Sequence, residues 1–130
     1  MSARLPWLRA AALFGLLAVA LGAMGAHGLK AHWEGTLTAV EAAKRVDVWK
    51  TASLYHLAHA IVLLVLAFAT PLRVRAAYWC FAIGIVVFSG SLYTLCLTGI
   101  KWLGAITPLG GVMLMLGWLL LACSRSEPKA

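Results

Sequence analysis

The chain has 130 residues, of which 63% are hydrophobic and 12% charged, with a mean hydropathy of +0.92 and a formal net charge of +7. A soluble domain of this size carries about twice that charged fraction, so lipid rather than water is the expected solvent. The 11 Lys and Arg residues stand in ones and twos at the ends of apolar stretches. That is how helices are anchored to headgroups, and it excludes a nucleic-acid surface, which needs a basic stripe interleaved with exposed aromatics.

The first apolar stretch runs over 7–26, behind Arg4 and Arg9. Its basic start and Ala23-Met24-Gly25 also suit a secretory signal peptide. A retained membrane helix is expected instead. Ala11, Gly15, Ala18, Gly22 and Gly25 recur in steps that draw one small-residue face, the pattern of close helix packing in lipid. The connector that follows opens on His27 and Gly28 and holds Glu34, Glu41 and Asp47. Thr38 and Glu41 form a capping box, which predicts an amphipathic connector helix over 39–50. Trp49 beside Lys50 is an interfacial anchor pair.

A second apolar stretch spans 51–70 and ends at Pro71. A third spans 77–98, with Ala77, Cys80, Gly84, Ser91 and Thr98 on one face. The turn at Thr98-Gly99-Ile100-Lys101 is short enough to make the third and fourth helices antiparallel neighbours. The fourth stretch spans 102–123, and Pro108, Gly110 and Gly111 predict a kink near Thr107. The tail from Ser124 is polar and expected to be disordered. Each stretch is about 20 residues, which fits a hydrocarbon core of roughly 30 Å. The fold class is therefore all-α: one polytopic membrane domain, a bundle of four transmembrane helices with an amphipathic connector between the first and second.

Three segments together resemble a known family. They are Gly22-Ala-Met-Gly-Ala-His-Gly-Leu-Lys30, Trp49-Lys-Thr-Ala-Ser-Leu-Tyr-His-Leu-Ala-His59, and Phe88-Ser-Gly-Ser-Leu-Tyr93 continued by Leu97-Thr-Gly-Ile-Lys-Trp-Leu-Gly-Ala-Ile-Thr-Pro-Leu-Gly-Gly111. The chain resembles the YgdD and transmembrane-protein-256 family, domain of unknown function 423, over nearly its whole length. The resemblance implies a small multi-helix protein of the bacterial inner membrane. It carries over no catalytic or binding residue.

Chemistry is hinted at only by the histidines. If the first helix ends near His27 and the second begins near Thr51, both ends share one membrane face. His56 and His59 then lie about one and two turns below it, at roughly 1.5 Å per residue. His27, His56, His59 and Tyr55 are the candidate ligand-binding residues. The sharp reading is a polar pocket for a small ligand, a metal or haem. The plainer reading is that the histidines bond backbone or neighbouring helices and lock the bundle. No carboxylate or thiol completes a ligand set with the pair, so neither a metal site nor a cofactor is expected. Cys80, Cys96 and Cys123 lie apart in apolar stretches and read as small buried hydrophobes. Ser89 and Ser91 sit inside an apolar helix and are poor nucleophiles.

The expected function is a scaffold, assembly partner or accessory subunit without catalysis of its own. Its partners would be the bilayer and either another membrane protein or further copies of itself. Arg4, Arg9, Arg73, Arg75, Arg125 and Lys129 lie on one side. Lys30, Lys44, Arg45, Lys50 and Lys101 lie on the other, mostly in the longer, acid-containing connector. That distribution predicts both termini in the cytoplasm.

Overall fold

A computed structural model describes residues 4–68 and 72–124. Among them are four helices long and apolar enough to cross a membrane. They are α1 (Leu5–Thr36), α2 (Ala39–Leu66), α3 (Leu72–Thr98) and α4 (Leu103–Ala122). The chain runs up, down, up, down. Backbone packing joins α1 to α2, α2 to α3, and α3 to α4. The end of the second stretch at Thr70 and Pro71, and the tail beyond Ser124, lie outside the described residues.

The first helix does not stop at His27. It passes through a π turn, Gly25–Leu29, and continues as helix to Thr36. The cause is Trp49. Its indole packs on Gly25 so closely that a Cβ there would fall on the ring. Its Nε1 donates to the Leu21 carbonyl at 2.9 Å. A widened turn with no side chain at Gly25 makes room for that ring.

The amphipathic segment is helical from Ala39, and its capping box is made: the Thr38 hydroxyl accepts from Glu41 N at 3.3 Å and donates to Glu41 Oε2 at 3.0 Å. It is not set apart from the second crossing. It forms the first three turns of one 28-residue helix. No residue between Thr38 and Leu66 is Gly or Pro, so nothing breaks the hydrogen-bond ladder where the sequence turns from charged to apolar.

Helix α4 runs unbroken through Pro108, although that residue supplies no N–H to the carbonyl one turn back. The turn before it rests on Gly99, at φ +74°, the left-handed region that glycine enters freely. Gly99 N closes the end of α3 on the Leu95 carbonyl at 2.8 Å.

Small residues let α3 and α4 approach closely. A Cβ at Gly110 would fall on the Phe88 backbone, 2.7 Å from its Cα. One at Gly117 would meet Phe81 at 2.7 Å, and one at Gly84 would meet Leu114 at 2.5 Å. In lipid such packing replaces the hydrophobic drive that assembles soluble cores. On α1 only Ala11, Ala18 and Gly25 of the small face are buried, whereas Gly15 and Gly22 face open space.

Both ends of the bundle are tied. At one end the Tyr78 hydroxyl donates to the Trp7 carbonyl at 2.9 Å, and the Arg75 guanidinium lies 5.1 Å over the Trp7 ring. Leu63, Ala67, Ala77 and Tyr78 share the core beside them. At the other end Arg45 donates to the Cys96 carbonyl at 2.8 Å, where the last turn of α3 favours a cation. From Arg45 to Leu66 along α2 is roughly 30 Å.

Candidate functional site

His56 and His59 face inward from α2, at 4% and 8% exposure. They lie about halfway along α2 between Arg45 and Leu66. His56 stands against Phe14 of α1 at 6.1 Å between rings, and His59 against Phe81 of α3 at 5.5 Å.

His59 is completely occupied. The Trp118 Nε1–H of α4 donates to its Nε2 at 3.2 Å. An indole only donates, so this Nε2 is a bare acceptor and the ring proton sits on Nδ1. There it donates to the Tyr55 carbonyl, 2.8 Å away. The ring is packed between Tyr55, stacked at 6.0 Å, and Phe81. His59 therefore links α2 to α4, which have no backbone contact among the described residues.

His56 links α2 to α3. Its Nδ1 lies 3.3 Å from the Tyr93 hydroxyl, which reaches Ser53 Oγ at 3.4 Å. Its Nε2 is buried and has no hydrogen-bond partner among the described residues. Beside them the Ser89 hydroxyl donates to the Ala52 carbonyl at 2.8 Å, and Ser91 shares a hydrogen bond with Thr107 at 2.8 Å. These hydroxyls, too, are used within the bundle.

The four candidate residues do not form one site. Tyr55 and His56 are adjacent on α2, and His59 lies one turn further on. His27 is exposed in the π turn, thirteen residues along α1 from Phe14, or roughly 20 Å. Among the described residues no three His, Cys, Asp or Glu side chains are grouped to hold a metal. Sequence reasoning missed Tyr93, Trp118 and Ser53 as histidine neighbours. The short turn after Thr98 placed α4 beside α3, but nothing local indicated that Trp118 would reach across to α2.

The profile of a family described as "Protein of unknown function (DUF423)" matches residues 21–111. The chain belongs to the DUF423 family. The match runs from the Leu21 carbonyl that receives Trp49 to the close contact of Gly110 and Gly111 with α3, and so contains most of the interhelical ties described above. A DUF423 chain of this length also has curated relatives. It is 45% identical over 113 residues to a UPF0382 membrane protein of Staphylococcus epidermidis, covering 85% of this chain and 86% of the relative. It is 46% identical over 115 residues to the UPF0382 membrane protein YwdK of Bacillus subtilis, covering 85% and 87%. No solved structure matches.

Proposed function

We propose that this DUF423 protein is a non-enzymatic scaffold or accessory subunit of the bacterial plasma membrane, acting through its lipid-facing helix surfaces. The observation that carries this reading is the state of His59. Both its ring nitrogens are consumed by Tyr55 and Trp118, so the most suggestive side chain in the membrane layer is an internal tie. Polar side chains that bond across helices within lipid are a recognised means of holding a bundle together.

The outward surface fits the same reading. Leu13, Leu16, Leu17 and Val19 on α1 are more than half exposed, as are Leu109, Met115 and Leu119 on α4. Those faces are open to lipid, to another membrane protein or to a second copy. Both termini are assigned to the cytoplasm, where Arg4, Arg9 and Arg75 would meet the positive-inside preference.

One observation favours the alternative, a small-ligand, metal or haem binding or transport protein: the buried, unbonded Nε2 of His56. A single experiment separates the two. Protein extracted gently from its native membrane is assayed for co-purified proteins by mass spectrometry, and for metal and haem by elemental analysis and absorbance. The scaffold reading expects a recurrent membrane-protein partner at constant stoichiometry, or a homo-oligomer, with no metal or haem. Stoichiometric metal or haem that disappears in His56→Leu with His59→Leu would establish the alternative.

A further inference from the structure

A cavity of about 200 Å³ opens between α1 and α2 at the Arg45 end of the bundle. Its walls include Gly22 and Ala26 from α1 and Trp49 from α2, with Ser53 among its lining residues. Lys30 and Lys50, one from each helix, also line it, and no carboxylate does. We propose that this groove binds the phosphate of an anionic phospholipid, with the two lysines and the Ser53 hydroxyl as its ligands.

Several independent features point to that occupant. The volume equals that of several waters at about 30 Å³ each, enough for a phosphate and its ester oxygens. Lys50 is exposed and has no partner among the described residues. Lys30 has only an exposed contact with Glu34 at 3.9 Å, the weak kind of pair that a phosphate readily replaces. Asp47 lies three residues before Lys50 on α2 but is not part of the lining. Two ammonium groups facing one groove therefore leave a local excess of positive charge.

Depth selects a lipid over a soluble phosphate. The groove lies at the end of the apolar layer, where headgroups sit. One turn deeper, Leu54 follows Lys50 and Leu57 follows Ser53, and Ile61 comes one turn beyond Leu57. All three are exposed, at 67%, 41% and 55%. A phosphate held at the mouth would lay its acyl chains along them. Gly22 borders the groove on open space: a Cβ there meets nothing within 4 Å. Gly25, by contrast, is filled by Trp49.

Two substitutions test the site by different routes. Lys30→Gln with Lys50→Gln removes the charge and keeps the space. Gly22→Leu fills the space and keeps the charge. Lys44→Gln with Lys101→Gln lowers the net charge equally outside the groove. Each full-length protein is placed in nanodiscs of equal phosphatidylglycerol and phosphatidylcholine, and the lipids retained are weighed by native mass spectrometry. Melting temperatures establish that each variant is folded.

The expected result is roughly tenfold enrichment of phosphatidylglycerol on the wild type and on the Lys44/Lys101 control, falling to near parity in both groove variants. Inorganic phosphate at millimolar concentration should not displace it. Equal enrichment in wild type and both groove variants would overturn the proposal, as would a loss in the control as large as theirs. Displacement by inorganic phosphate would overturn the assignment to a lipid.

Discussion

Replacing Trp49 with alanine should destabilise the bundle by about 3 kcal/mol, as large as any single truncation in this chain. Trp49 is 2% exposed and joins three segments. Its ring contacts Tyr93 at 4.6 Å and Trp33 at 5.9 Å, and its Nε1 holds the Leu21 carbonyl. Truncation leaves a cavity in a layer where dispersion contacts, not water exclusion, supply the helix–helix attraction. The π turn also loses the ring that Gly25 accommodates. Trp49→Phe keeps most of the packing and loses the hydrogen bond, so about 1 kcal/mol is expected. Unfolding by sodium dodecyl sulfate, followed through helical circular dichroism, measures both. The order Ala well below Phe, and Phe slightly below wild type, is the expected pattern.

Gly110→Leu is expected to undock α4, and Gly110→Ala to cost about 3 kcal/mol, at the upper end of overpacking penalties. The obstruction at Gly110 is the Phe88 backbone, which cannot rotate away as a flexible side chain would. Gly111 provides an internal control. A Cβ there meets only the Phe88 ring, at 3.8 Å, an ordinary contact. Gly111→Ala should therefore change little in the same unfolding assay, although the two glycines are adjacent. Cysteine cross-linking between α3 and α4 would show whether Gly110→Leu separates them.

The crossings were legible because each is a run of apolar residues with charges at its ends, a signal that depends on composition alone. The cap at Thr38 was legible for a local reason, since its bonds reach only to Glu41. The π turn was not. It answers to Trp49, which is distant in sequence and arrives only when α1 and α2 pack. Tyr93 and Trp118 depend on the register of α2 against α3 and of α3 against α4. Small residues set that register, and one sequence does not reveal which small residue meets which partner. Gly22 and Gly25 make the point. Both lie on the small face of α1, yet one is pressed against an indole and the other borders the groove.

His59 offers the most direct test of the claim that the membrane-layer histidines are internal ties. Solid-state NMR of the protein in lipid bilayers, with ¹⁵N-labelled histidine and tryptophan, reports which ring nitrogen holds the proton. The account predicts a neutral His59 ring protonated at Nδ1 and bare at Nε2. Its signals should correlate with the Trp118 indole, shift in Trp118→Phe, and stay unchanged when zinc or haem is added. A His59 protonated at Nε2, or a signal that moves on adding either ligand, would contradict it.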